Sequence, residues 1–441
     1  MRIDRISVTG LFGIFDHAIP LNTKDRITII HGPNGFGKTI ILSMLHGLFN
    51  SRYSIFRGVP FREFRVDFDD GTALQVEKTP GGTKAGSSPY KVLVVGPQSR
   101  QQVLDITVPG PTPAPSPGML GALEEIPDLE QAGYDRYRNV LTGQTLSMEE
   151  ALEDYDLAPG ASPAWLRKIQ EALRVRHIRT DRLSARSTRS GLYGRAHRGE
   201  AAVPVVVRYS RDMVRMIERT LAESVELSSS LDRSFPQRLL DRTARNPGSK
   251  MSDQDLRQKL KRLEEKRFRL TEAGLLDKGS PTVRIPDGDI DPVSRSVLCI
   301  YVKDAQEKLQ VFDQLLDKIE LMRKLIEKRF LYKKFSFSKE KGFVFRTPDG
   351  KSLATEALSS GEQHLVALLY ELLFRVAPNS LVLIDEPEIS LHIAWQHDFV
   401  DDLAEIAAIC DFDAIVATHS PDIVSDRWDL TVELKGPEYR A

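Results

Sequence analysis

Cysteine is scarce in this chain: there are two in 441 residues, Cys299 and Cys410, far apart and outside any CxxC spacing. That excludes a disulfide framework and a thiolate zinc site, and a reducing, cytoplasmic setting is the expectation. Net charge is nearly absent as well. Sixty-one Lys and Arg face 62 Asp and Glu, a formal charge of -1, so no global field drives the chain onto nucleic acid or an anionic membrane. Polyanion binding has to be local. Long apolar runs are missing too: nothing approaches the roughly 18 residues of a membrane span, and Asp4 and Arg5 near the amino terminus are unlike an export signal. What is present is a folding composition, 41% hydrophobic and 28% charged, in a length that at roughly 150 residues per domain allows up to about three domains.

The opening residues alternate Ile3, Ile6 and Val8 with polar neighbours, break at Gly10 to Gly13, and resume through Ile27, Ile29 and Ile30 ahead of a glycine cluster. That is strand, turn, strand. Beyond the cluster, Ile40, Ile41, Met44, Leu45 and Leu48 recur at helical intervals, and Phe64, Val66 and Phe68 turn at Asp69 to Gly71 and return through Leu74 and Val76 as a β-hairpin. The prolines between Pro109 and Gly118 and the acids Glu149 to Asp156 mark residues 96–170 as an insertion, either a semi-rigid linker or an extended ligand for another domain.

Residues 174–198 hold the main basic patch: Arg174, Arg176, Arg179, Arg182, Arg186, Arg189, Arg195 and Arg198, with Asp181 the only acid among them. From Val205 to Phe330 the pattern is helical and charged. It is clearest in Leu256, Leu260, Leu263 and Leu270 and in Leu309, Phe312, Leu316, Ile319, Met322, Ile326 and Phe330, with turn signals at Asn246 to Gly248 and Gly279 to Pro281. A short antiparallel helical arm follows, its charge serving solvation or, alternatively, nucleic-acid contact. Strand character returns at Phe335 to Phe345. The last stretch alternates strand Leu381 to Ile384, helix Ser390 to Ile409 and strand Ala414 to Ala417, which argues for a parallel α/β sheet. The segments are therefore 1–95, 96–170, 171–202, 203–334 and 335–441.

The glycine cluster reads Gly32, Pro33, Asn34, Gly35, Phe36, Gly37, Lys38, Thr39, a GxxxxGK[ST] pattern in strand-to-helix context. Its glycines let backbone N–H groups turn toward phosphate oxygens at a helix N-terminus. Lys38 then serves the β- and γ-phosphates of ATP, and the Thr39 hydroxyl serves Mg2+. The apolar strand at 381–384 runs into Asp385 and Glu386 at its carboxyl end, beside the expected crevice. Asp385 suits the magnesium shell and Glu386 suits a base that orients the attacking water; an acidic turn is the plainer alternative.

Leu358, Ser359, Ser360, Gly361, Glu362 and Gln363 precede an apolar helix. Alone they read as a well-capped helix start. Standing just upstream of the Asp385 strand, they resemble the signature of ABC-type ATPases, and with Asn34 in the phosphate loop the resemblance is closest to the SMC and RecF-like branch. It implies an ABC-ATPase head of α/β class, with a mixed or parallel sheet plus an antiparallel β subdomain, split by the helical arm into an N-terminal and a C-terminal lobe. It also implies that Ser359, Ser360, Gly361 and Glu362 bind nucleotide held by a second copy, making the protein at least a head dimer. Thr418, His419 and Ser420 resemble the switch histidine that senses the γ-phosphate, which places His419 with Glu386 and Lys38 among the catalytic residues. Glu388 to His392 resemble the D-loop that couples the two sites. Where relatives carry Gln-Arg-Leu in the Q-loop, this chain has Asp181, Arg182 and Leu183, so Asp181 joins Thr39 and Asp385 as a candidate metal ligand.

The stretch Glu386 to His392, with Trp395 and Asp426 to Trp428, looks most like the ATPase subunits of bacterial antiphage defence systems such as PARIS and Septu. That resemblance implies an ATPase that senses infection or controls an effector nuclease, Toprim-like or HNH. Because the chain ends soon after His419, the effector is expected to be a separate protein. The basic patch is the expected contact for a nucleic-acid or nucleic-acid-mimicking trigger. The alternative is a RecF-like repair factor that loads on DNA.

Overall fold

The computed structural model describes residues 1–78, 90–96, 102–106, 129–133, 136–139, 145–148, 163–179, 204–245, 251–277, 289–389 and 391–436. Several expectations lie outside them: the proline-rich run, the acidic patch at 149–156, Asp181 to Leu183 with the arginines beyond Arg179, the turn signals at 246–248 and 279–281, and Ser390. The chain forms two compact units, residues 1–205 with 359–441, and residues 206–358.

The first unit holds a five-stranded parallel sheet in the order β11 (Arg174–Arg179), β15 (Ser380–Asp385), β16 (Phe412–Thr418), β3 (Ile27–His31) and β17 (Thr431–Glu433). A parallel sheet is covered on both faces, so its central strands are continuous apolar runs. Leu381, Val382, Leu383, Ile384 and the segment Ala414–Ala417 are all buried. The register aligns Asp385 with Ala417 and Thr418 with His31, which brings the carboxyl ends of three strands to one edge.

Against this sheet packs an antiparallel one, ordered β2 (Phe15–Pro20), β1 (Ile3–Leu11), β4 (Glu63–Phe68), β5 (Ala73–Lys78), β6 (Tyr90–Val95) and β7 (Gln102–Ile106). Its strands alternate buried and exposed residues, as in Phe15, His17 and Ile19 of β2. Helix α1 (Lys38–Phe49) lies between the sheets, with Ile41, Leu42, Met44, Leu45 and Leu48 fully buried. Each such side chain contributes about 1.5–3 kcal/mol over an exposed one. A further antiparallel sheet is formed by β8 (Leu129–Gly133), β9 (Arg136–Asn139) and β10 (Thr145–Ser147), with β9 in the middle.

The expectation of an insertion over 96–170 needs correction at both ends. β7 extends the antiparallel sheet, and a helix at Ala164–Ala172 buries Leu166 in the core while Gln170 donates to Leu48 O at 2.9 Å and to the Ser51 hydroxyl at 3.2 Å. Its amphipathic turns belong to the core rather than to a linker.

The second unit carries most of the helix Val205–Arg245, the helices Asp253–Glu272, Pro292–Gln310 and Asp313–Glu327, and a three-stranded sheet, β12 (Lys334–Ser338), β13 (Gly342–Arg346) and β14 (Ser352–Leu353). The apolar run from Leu309 to Phe330 begins at the end of one helix, Pro292–Gln310, crosses a break at Val311 and Phe312, and continues through the next, Asp313–Glu327. Asp232 pairs with Lys308 and Arg238 with Asp304, so the first and third helices run antiparallel. Lys266 pairs with Asp313 and Arg269 with Glu320, so the second and fourth advance together. The hairpin of β12 and β13, expected with the C-terminal lobe from 335, clusters with these helices instead. Phe330 stacks on Phe345, and the Ser210 hydroxyl donates to Lys341 O and accepts from Phe343 N, both at 2.8 Å.

Candidate functional site

The site forms where the carboxyl ends of β3, β15 and β16 meet the start of α1. β3 ends at His31, and the phosphate loop, Gly32 to Gly37, leads into α1. Gly37 is the N-cap residue, in a left-handed conformation at φ 91. A Cβ there would lie 2.5 Å from Leu11 Cδ2, so any other residue strains the backbone and forces Leu11 to shift. No side chain caps the helix, which leaves its first N–H groups directed into the loop as donors for an anion. His17, on β2, supports the loop from behind: its Nε2 is 3.0 Å from Phe36 O, and its ring stacks on Phe15, which also meets Phe36. Burial lowers the His17 pKa, with the Phe36 carbonyl and Asp16 opposing.

Lys38 is buried and folds back on its own loop, donating to Gly32 O at 2.6 Å and Pro33 O at 3.1 Å. Burial pushes its ammonium pKa down, while Glu386, Glu388 and Asp385, in that order of strength, pull it back up. Three carboxylates of one turn thus act on the lysine's charge while its hydrogen bonds go to loop carbonyls.

The Thr39 hydroxyl donates to Asp385 Oδ1 at 3.2 Å across 346 positions of sequence. Glu386 follows with a positive φ of 45, held by its N–H to Ala417 O at 2.9 Å. A non-glycine residue in that region stores strain, and such strain gathers at functional sites.

His419 follows β16 and sits against Glu388. Glu388 Oε1 accepts from the Thr418 hydroxyl at 2.8 Å and from His419 N at 3.0 Å, and lies 3.0 Å from His419 Nδ1. Its other oxygen is buried without a hydrogen-bond partner among the described residues. His419 lines a cavity of about 350 Å3 with His31, Gly32, Pro33, Asn34, Ser420, Pro421, Val424 and Trp428. The phosphate loop and the histidine segment therefore share one opening.

The structure thus brings Lys38, Thr39, Asp385, Glu386 and His419 to one edge of the sheet. It places Ser359 elsewhere in the same unit, as N-cap of the helix Ser360–Tyr370. There Ser359 Oγ accepts from Glu362 N at 3.3 Å and Glu362 Oε2 accepts from Ser359 N at 2.8 Å, a capping box. Gly361 faces Trp395, whose ring also meets His392. Asp181 lies outside the described residues. Sequence reasoning missed the contact of Glu388 with His419 and the support from His17. The Asp-Glu-Pro-Glu spacing marked the first; nothing local marked the second.

The donor set fits a hard cation. Among the described residues no cluster of three or more His, Cys, Asp or Glu side chains could hold a metal. Thr39 and Asp385 offer two oxygens, the sparse protein shell on which Mg2+ relies when phosphates complete its octahedron.

A family model described as "AAA domain, putative AbiEii toxin, Type IV TA system" matches residues 27–425. No curated protein matches the chain. Among solved structures, the SMC head domain from Thermotoga maritima is 12% identical, with 97% of this chain and 93% of that one covered at a TM-score of 0.35. The Smc head domain with an extended coiled coil bound to the C-terminal domain of ScpA, derived from Pyrococcus furiosus, is 13% identical, with 99% and 94% covered at 0.31. An SmcHead bound to the C-winged helix domain of ScpA is 14% identical, with 96% and 91% covered at 0.32. At these scores the likenesses carry no functional weight.

Proposed function

The chain belongs to the AbiEii-type AAA-domain ATPase family, and from that premise we propose that it binds and hydrolyses ATP between the heads of two copies, acting in a bacterial defence system through a separate effector. The observation that carries this reading is the meeting of Lys38, Thr39, Asp385 and Glu386 at one strand edge from opposite ends of the sequence. The family description names a toxin of a toxin–antitoxin system, which favours a defence role over repair.

In this reading the loop N–H groups and the start of α1 receive the phosphates, and Lys38 exchanges the Gly32 and Pro33 carbonyls for β- and γ-phosphate oxygens. Thr39 and Asp385 would hold Mg2+, which when bound would neutralise charge on the phosphates. Glu386 orients the attacking water, and His419, which shares an opening with Gly32, Pro33 and Asn34, would meet the γ-phosphate. Ser359, Ser360, Gly361 and Glu362 meet the nucleotide of the second copy. Hydrolysis then releases the head interface, so bound ATP stores a state that an effector nuclease reads. No helix among the described residues is long and apolar enough to cross a membrane.

The test is Glu386→Gln examined for ATP turnover, retained nucleotide and mass by light scattering. Trapped ATP in a dimer is expected; unchanged turnover refutes the assignment. Salt-sensitive binding of the unsubstituted protein to DNA ends, without a partner, supports the RecF-like alternative instead.

A further inference from the structure

Glu388 stands in the stretch that resembles a coupling loop between two heads, yet its carboxylate turns inward. It is 7% exposed, whereas the His419 side chain beside it is 45% exposed. Two donors converge on Oε1, the Thr418 hydroxyl and the His419 N–H, and His419 Nδ1 lies 3.0 Å from the same oxygen. Thr418 Oγ1 in turn accepts from Ser420 N at 3.0 Å. Gln396 ties the two segments together. Its Nε2 donates to Glu388 O at 3.3 Å and Leu391 O at 3.1 Å, and its Oε1 accepts from the Ser420 hydroxyl at 3.1 Å. The turn that bears Glu388 and the segment that bears His419 are therefore clamped from both the side-chain and the backbone side.

We propose that Glu388 is a positioning residue for His419, fixing the imidazole with its proton on Nδ1 and its Nε2 turned to the opening it shares with Gly32, Pro33 and Asn34. A carboxylate oxygen accepts, so a ring nitrogen held 3.0 Å from it is favoured when it carries hydrogen. The remaining nitrogen then has a lone pair, suited to accept from the water that Glu386 orients. Burial of the carboxylate and its two further donors stop it from swinging away, so the ring orientation is set before nucleotide arrives. The inference rests on the hydrolase reading above for its consequence, whereas the tautomer assignment rests on the 3.0 Å separation of Nδ1 from the buried carboxylate.

The test uses the full chain labelled with 15N-histidine. The His419 resonances, identified by their loss in His419→Asn among the nine histidines of the sequence, report which nitrogen is protonated. The expected result is an Nδ1–H tautomer in the unsubstituted protein and its loss in Glu388→Ala. Turnover at saturating ATP should fall about tenfold or more, the equivalent of one hydrogen bond to a charged group, with KM changed by less than about threefold. Glu388→Gln keeps an acceptor oxygen and is expected to restore the tautomer and part of the turnover, which separates positioning from loss of fold. An Nε2–H tautomer in the unsubstituted protein, an unchanged tautomer in Glu388→Ala, or a loss confined to KM overturns the proposal. If the unsubstituted protein does not hydrolyse ATP, the hydrolase reading falls, and the tautomer comparison still decides the Glu388 assignment.

Discussion

Replacing Gly37 by alanine separates two costs that the phosphate loop imposes on one residue. The first is backbone: at φ 91, an L-residue loses roughly 1–2 kcal/mol to the left-handed conformation. The second is steric, because the new Cβ would stand 2.5 Å from Leu11 Cδ2 and 3.6 Å from Phe12 Cε2. Leu11 is fully buried at the end of β1, so it yields only by leaving its rotamer or shifting backbone, about 1–3 kcal/mol. The total is about 2–5 kcal/mol. Gly35 is the internal control: its φ is 86, but a Cβ added there would meet nothing within 4 Å, so Gly35→Ala should cost only the backbone share, about 1–2 kcal/mol. Urea unfolding of the nucleotide-free proteins measures both. A double-mutant cycle isolates the contact. Leu11→Ala alone should cost about 2–5 kcal/mol, and less in the Gly37→Ala background, with a coupling of about 1–3 kcal/mol. Equal losses for the two glycine variants, or an additive cycle, refute the reasoning.

Three further outcomes are expected. Glu386→Gln should lower ATP turnover by about 100-fold or more while ATP remains bound, measured by phosphate release and by nucleotide retained on gel filtration. Asp385→Asn should raise the Mg2+ concentration needed for half-maximal ATP binding, read by calorimetry across a magnesium titration, with binding of metal-free ATP little changed. Burial raises the Asp413 pKa despite Arg26 at 3.1 Å and Arg2 at 3.5 Å. The folded state then holds more protons than the unfolded state between the ordinary carboxylate value and the raised one, so stability falls as pH rises through that window. Asp413→Asn should remove this slope: its stability relative to the unsubstituted protein should be higher at neutral pH than below the ordinary carboxylate range, as followed by denaturant midpoints.

Much of the molecule was legible because its signals are local. The alternation in β1, β4 and β5 reports one buried face. The unbroken apolar run of Leu381 to Ile384 reports a strand covered on both sides, and the glycines before Lys38 report a turn that needs positive φ. The run from Leu309 to Phe330 shows the limit of periodicity, since its apolar spacing does not mark the break between the helix ending at Gln310 and the one beginning at Asp313. The hairpin at Phe335 to Phe345 shows another limit. Its strands were evident, but which unit would cover its aromatic face depends on Phe330 and Ser210, and no local pattern carries that choice.

The order of residues was enough to pick out the glycine-rich loop between strand and helix, the paired carboxylates after an apolar strand and the histidine after another, because each depends on backbone conformation within a few neighbours. Only the packed chain could show that Thr39 meets Asp385, that Glu388 turns inward to His419 and that His17 backs the loop. Those contacts join residues through parallel strand register and burial, and long-range register leaves no trace in any short window of sequence.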